Sequence, residues 1–136
     1  MAEAYGVVVS AGSLRSSSDE AWRLPHRWTD EGVAVEAAFT GAHLLHLAAA
    51  GCVLNDVYRE ATRLGTALAG VRVSAQGGFD DEWASSGVTY VVEVDTDAPS
   101  DEVARLLAVV DEVAEIPRAI RAGAPVTRTA EPGAQG

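Results

Sequence analysis

The chain contains a single cysteine, Cys52, within a run of alanine and leucine residues. A thiol acts as a nucleophile when a nearby cation lowers its pKa. Packed among apolar residues, the same side chain behaves as a small inert hydrophobe, and this is the commoner role of a cysteine on an alanine-rich helix. With no second cysteine, Cys52 cannot form a disulfide within the chain. The residue type alone leaves both roles open.

The remaining chemistry is limited by which residue types occur. His43 and His46 lie one helical turn apart, a spacing that could share a metal ion, but no acidic or cysteine ligand falls at a supporting offset. All ten basic residues are arginine, which excludes Schiff-base chemistry and lysine-anchored pyridoxal phosphate. The sequence therefore predicts no metal site and no cofactor.

Composition and charge narrow the functional classes further. The chain has 136 residues, of which 48% are hydrophobic, and a formal net charge of −10. This length fits one domain, and the acidic balance opposes binding to a phosphate backbone, so we predict no nucleic-acid partner. The longest apolar stretch, 42–54, is interrupted by histidines and too short to span a bilayer, and the N-terminus lacks the features of an export signal. We expect a cytoplasmic protein without a membrane partner.

A long helix must position Cys52. Alanine and leucine recur at helical spacing over 41–64, with Thr40 as the candidate N-cap and Gly65 as the C-terminal stop. On this helix Cys52 shares a face with five residues at one- and two-turn offsets. They are Leu45, Ala48, Ala49, Asn55 and Asp56.

The flanking segments alternate between β-branched runs and further helical patterns. Strands are predicted at 5–9, 21–28, 33–40, 71–76, 87–95 and 126–127, the pair at 71–76 and 87–95 being antiparallel. Pro25 would place the second strand at a sheet edge. Ser100 is predicted to cap a helix that Pro117 interrupts near Ile116, before a shorter helix ending at Gly123. We predict one domain over 1–128 and a disordered tail over 129–136.

This order of elements resembles the OsmC/Ohr family of thiol peroxidases. The most similar parts are Thr40–Cys52 (TGAHLLHLAAAGC), which resembles the family's run into its peroxidatic cysteine, and Leu24–Trp28 (LPHRW), which resembles the strand carrying its activating arginine. The resemblance implies an α+β fold with antiparallel sheets around a long central helix. It also implies an intertwined homodimer with sites at the subunit interface and the reduction of hydroperoxides.

Carried over residue by residue, the family's site is incomplete. Cys52 matches the peroxidatic cysteine and Arg27 the activating arginine, with Arg15 as a second candidate. The family's glutamate falls on Ala42 and its resolving cysteine on Ile116. An isoleucine cannot attack a sulfenic acid to form a disulfide, and an alanine cannot position an arginine. The chain therefore looks like a divergent member of the family.

Three functions follow as hypotheses. In the first, a former peroxidase uses its interface pocket to bind or convert a small apolar or aromatic molecule. In the second, a one-cysteine peroxidase pairs Cys52 with Arg27, and an external thiol resolves the sulfenic acid. In the third, Cys52 only packs in the core of a structural protein. For the first, the predicted ligand-binding residues are Trp22, Trp28, His43, Leu45, Ala48 and Ala49.

Overall fold

The computed structural model describes residues 4–130, and within them five strands form one antiparallel sheet. The strands are β1 (Val7–Gly12), β2 (Trp22–Leu24), β3 (Val33–Glu36), β4 (Gly70–Phe79) and β5 (Ser85–Asp95). Their order across the sheet is β2-β3-β1-β4-β5, so β2 and β5 are the edges. The predicted tail over 129–136 lies outside the described residues from 131 onward.

Helix α1 (Gly41–Leu64) forms with the predicted bounds and caps. The Thr40 hydroxyl accepts a hydrogen bond from the His43 backbone N–H at 3.2 Å, which satisfies one of the orphan donors of the first turn. At the other end, Gly65 adopts the left-handed conformation with φ of 78°. The helix lies against β1 and β4, and its fully buried Val53 and Val57 join the sheet's valines in the core.

Two further helices pack on α1. Helix α2 (Ser100–Val113) buries Leu106 and Val110, and helix α3 (Glu115–Ala122) follows after the single residue Ala114. The predicted cap at Ser100 is wrong, because Ser100 is already the first helical residue and Pro99 occupies the capping position without a side-chain hydrogen bond. The helix break falls at Ala114, a short distance before the proline that predicted it.

The strand predictions were right in kind and less accurate in extent. Strand β1 runs later than 5–9, and β2 ends before Pro25, at the sheet edge where a residue without an N–H is tolerated. The strand predicted at 126–127 does not form. Val126 is 97% exposed, and two β-branched residues after Pro125 are too few to add a strand to an edge.

The β4–β5 hairpin extends past the rest of the sheet. The register with β1 ends at Ala75, and the distal residues 76–79 and 85–89 pair with each other, while the Gly77 N–H also donates to the Ala4 carbonyl at 2.8 Å. Trp83, at the tip of this extension, is 76% exposed. We call residues 76–89 the hairpin arm. The α+β antiparallel class is confirmed, and across residues 4–130 none of the helices combines the length and apolar character needed to cross a bilayer.

Candidate functional site

The thiol of Cys52 faces the junction between α1 and α3. Its residue is buried, with 7% of its surface exposed, and its Sγ lies within 4.8 Å of carboxylate oxygens of both Asp56 and Glu115. Asp56 follows one turn later on α1, and Glu115 is the first residue of α3. The backbone N–H of Ile116 donates a hydrogen bond to the thiol. The side of α1 that carries Cys52 is therefore acidic.

These surroundings favour the protonated thiol. Burial raises the pKa of Cys52 most, the Ile116 N–H opposes it as the next-largest influence, and the negative charges of Asp56 and Glu115 add smaller upward shifts. The pKa of Asp56 is raised as well, chiefly by burial and also by Glu115 and Glu60, while Arg59 opposes the shift. The charged neighbours that act on the thiol are both acidic, the reverse of the setting that makes a cysteine nucleophilic.

The candidate activating arginines lie elsewhere in the protomer. Arg27 lines a cleft together with Leu47, Gly51 and Leu54, on a different side of α1 from α3. Arg15 pairs with Glu31, donating to its backbone carbonyl at 2.7 Å and lying 3.4 Å from its carboxylate. Within one protomer, both arginines therefore lie away from Cys52 and from the two carboxylates beside its thiol.

The cleft between β2, β3 and α1 has a volume of about 460 Å³. Arg27 and Trp28 lie on the loop after β2, and the guanidinium carbon of Arg27 sits 5.5 Å from the centre of the Trp28 ring. Aliphatic side chains from the sheet and the helix complete the wall. The cleft combines an apolar floor with an aromatic ring and a cation, a composition suited to a small aromatic ligand.

His26 fixes this loop to α1, a role that the sequence reasoning missed. Its Nε2 lies 2.9 Å from Asn55 Oδ1, and its Nδ1 lies 2.8 Å from the Thr29 hydroxyl. Its ring also packs at 5.6 Å from Tyr58 and 5.7 Å from Trp28. The polar Asn55, which directly follows the apolar run 47–54, was the available signal. The partner of that amide, 29 residues earlier, could not be read from spacing.

The predicted ligand-binding residues do not lie in one place. Trp28 lines the cleft, whereas Ala49 lines a separate cavity of about 320 Å³ beside Tyr90 and Pro117. His43 is buried and bonded to Thr40, with Nδ1 at 2.6 Å from the hydroxyl. The other three are surface or partly exposed positions: Trp22 on β2, and Leu45 and Ala48 on α1.

The two positions that depart from the family pattern can also be placed. The backbone N–H of Ile116, the residue on which the resolving cysteine was expected to fall, reaches the Cys52 thiol. Ala42 is the second residue of α1, nearly three turns before Cys52. Neither side chain can ionise or attack a sulfenic acid.

Comparisons with known proteins agree on the fold. A family model described as "OsmC-like protein" matches residues 34–129. The chain is also similar to a crystal structure of an OsmC-like hydroperoxide resistance protein from Jannaschia sp. CCS1, with a TM-score of 0.53 and 11% identity over 96% of this chain and 97% of that one. At this identity the likeness concerns the fold alone. No curated protein sequence matches the chain.

Proposed function

The chain belongs to the OsmC-like protein family, and from that premise we propose that it binds a small aromatic or apolar molecule in the cleft beside Arg27 and Trp28 instead of reducing peroxides through a cysteine pair. The cleft volume of about 460 Å³ falls within the range of small-molecule sites. The observation that carries the proposal is the separation of cation from thiol. Arg27 lines the cleft, whereas Cys52 faces Asp56 and Glu115.

Arg27 favours a ligand that carries a negative group. The guanidinium stacks near Trp28 and can offer parallel N–H donors to a carboxylate or sulfonate while the ring contacts the aromatic part. The loop is held in place by the contacts of His26 with Thr29 and Asn55. A loop fixed in this way loses less conformational entropy when a ligand binds.

The proposal includes a homodimer. The hairpin arm extends beyond β1, and Trp83 at its tip and Phe39 before α1 are 76% and 75% exposed. Large exposed aromatic side chains are typical of surfaces that a partner covers. Static light scattering should give a mass near two chains at micromolar concentration, and a stable mass near one chain contradicts this part of the proposal.

A binding titration tests the ligand cleft. The fluorescent anionic dye 8-anilinonaphthalene-1-sulfonate should bind the wild-type protein saturably, and Arg27→Gln should weaken binding about tenfold by removing a charge-assisted contact. Trp28→Leu should weaken it as well. The matched control is Arg118→Gln, an exposed arginine of α3 remote from the cleft, which should bind as wild type does. Circular dichroism confirms that each variant is folded.

Peroxide consumption is measured beside this titration. We expect slow turnover of an organic hydroperoxide with dithiol reductants, and dye binding that survives Cys52→Ser. Fast turnover that depends on Cys52 supports the one-cysteine peroxidase and overturns the proposal. Dye binding that ignores both Arg27→Gln and Trp28→Leu overturns it too, because the ligand then lies outside the cleft.

A further inference from the structure

The imidazole of His26 lies in the wall of the cleft with both of its nitrogen atoms facing oxygen atoms. Nε2 lies 2.9 Å from Asn55 Oδ1, and Nδ1 lies 2.8 Å from the hydroxyl oxygen of Thr29. An amide oxygen only accepts hydrogen bonds, so Nε2 carries a proton. A hydroxyl both donates and accepts, so it suits Nδ1 with or without a proton. The charge of this ring therefore depends on the proton at Nδ1.

The Thr29 hydroxyl can serve both charge states of His26 without any movement of heavy atoms. Its oxygen also lies 3.3 Å from the carbonyl oxygen of Gly32. When the imidazole is neutral, the hydroxyl donates to Nδ1. When the imidazole is protonated, Nδ1 donates to the hydroxyl oxygen, and the hydroxyl proton turns to the Gly32 carbonyl. Both ring nitrogens keep a hydrogen-bond partner in either state, so proton uptake leaves neither of them unpaired.

Two aromatic rings adjoin the imidazole of His26. The centre of the Tyr58 ring lies 5.6 Å from the centre of the imidazole, and the centre of the Trp28 ring lies 5.7 Å from it. A cation within about 6 Å of the centre of an aromatic ring is attracted by the π electrons of that ring. A neutral imidazole gains no such attraction, so both contacts favour the protonated form.

The charged and titratable groups around this imidazole come mainly from its own loop. Arg27 is the next residue in the chain and shares the cleft wall. The loop also carries the exposed Asp30 and Glu31, and the Glu31 carboxylate is paired with Arg15 at 3.4 Å. From α1, the titratable contact is Tyr58, whose pKa is raised by burial so that it stays neutral. The cleft-lining residues of β1, β2 and β3 are uncharged.

We propose that His26 determines the charge specificity of the cleft by taking up a proton when an anionic ligand binds. The inference rests on the proposed ligand cleft and adds a dependence on pH to it. Histidine is the side chain whose charge ordinarily changes between about pH 5 and 8. A negative ligand group beside Arg27 also lies near His26 and stabilises its protonated form. Because such coupling is reciprocal, a lower pH strengthens the binding of anions but not of neutral molecules.

Titrations of the full chain with two dyes between about pH 5.5 and 8.5 test this inference. The sulfonate of 8-anilinonaphthalene-1-sulfonate stays ionised throughout, and N-phenyl-1-naphthylamine has the same rings without the sulfonate. The anionic dye should bind the wild type about fivefold more tightly at the lower pH, and the neutral dye equally at both. In His26→Gln, which does not titrate, the affinity for the anionic dye should no longer change with pH. Calorimetry in buffers of different ionisation enthalpy should show proton uptake on binding to the wild type only.

Thr29→Val tests the same inference if His26→Gln does not fold. It removes the acceptor for the Nδ1 proton and should reduce proton uptake, whereas the exposed Thr127→Val, the matched control, should behave as the wild type does. A pH dependence that persists in His26→Gln, or that the neutral dye shares, overturns the inference. Anionic dye binding that depends on Arg27 but takes up no proton also overturns it, and leaves the cleft proposal standing. Dye binding that ignores Arg27→Gln and Trp28→Leu overturns the cleft proposal itself.

Discussion

The two sides of helix α1 differ in charge, openness and means of support. On the cleft side, a loop presents Arg27 and Trp28 around a cavity of about 460 Å³. On the other side, α3 closes over Cys52 and supplies Glu115 beside it. In one protomer the cation of the cleft and the thiol therefore lie on different sides of α1, and the charged groups nearest the thiol are acidic. The comparison teaches that the position of a cysteine on a helix says little about its reactivity until the neighbouring elements are known.

The largest expected effect is the loss of unfolding free energy when a residue shared by the hydrophobic core and the cleft is truncated. Leu54 is fully buried and also lines the cleft, so Leu54→Ala should lower the free energy of unfolding by about 2–5 kcal/mol. Leu47 lines the same cleft but is half-buried, and Leu47→Ala should cost clearly less. Urea unfolding of both variants checks this. Equal losses would show that the cleft side is not anchored in the core at Leu54.

A second variant tests whether the cleft side of α1 depends on the backbone conformation of the loop between β2 and β3. Gly32, at the end of the cleft loop, has a φ of 79°, and a Cβ there would lie 2.3 Å from the Leu24 carbonyl oxygen. Gly32→Ala should therefore cost at least about 1–2 kcal/mol in unfolding free energy and weaken dye binding. Gly41→Ala is the control, because a Cβ at Gly41 meets open space at the start of α1. If Gly32→Ala left both measurements unchanged, the loop would not depend on this turn.

The reactivity of the thiol tests the acidic side directly. Because the pKa of Cys52 is raised, the reactive thiolate is scarce at neutral pH and forms only as the pH rises past the value of about 8.5 for a free cysteine. In chelator-treated protein the rate of alkylation by iodoacetamide should have its midpoint above that pH, with less than about a tenth of the thiol ionised at pH 7.5. Glu115→Gln should lower the midpoint, since it removes a negative charge beside the thiol.

Arg27→Ala provides the contrast for the same measurement. The alkylation profile should not change, because Arg27 lines the other side of α1. A midpoint below pH 8.5 in the wild type that moves upward in Arg27→Ala would show that Arg27 of a second copy reaches the thiol. Arg27 of one subunit would then lie beside Cys52 of the other in a dimer, which would favour the one-cysteine peroxidase.

The smallest expected effect concerns the stability contributed by Arg27. Its guanidinium stacks near Trp28 at an exposed position, and such a contact contributes less than about 1 kcal/mol. Arg27→Gln should therefore unfold almost as the wild type does, even though its dye binding is weakened. A decrease of more than about 2 kcal/mol in the free energy of unfolding would show that Arg27 stabilises the fold. Its effect on dye binding could then no longer be assigned to direct contact with the ligand.

The sequence predicted the elements that depend on local signals. Helix α1 was found with both ends because Thr40 and Gly65 are capping residues of known geometry, and the β4–β5 pair followed from β-branched runs around glycines. The strand at 126–127 was wrong, since composition alone does not reveal whether a sheet edge is available. The contact between His26 and Asn55, and the approach of Glu115 to Cys52, depend on how distant elements pack. No periodicity encodes such distances.

The sheet order has a consequence for synthesis of the chain. The central strand β1 is made first, but Val9 must wait for its partner Val73, which follows 64 residues later. At about 5–20 residues per second the ribosome needs roughly 3–13 s to reach that partner. During this interval β1 can pair with β3 on one edge only, and its other edge offers unpaired N–H and C=O groups to any neighbouring nascent chain. Translation speed between β1 and β4 is therefore expected to affect the soluble yield of this protein.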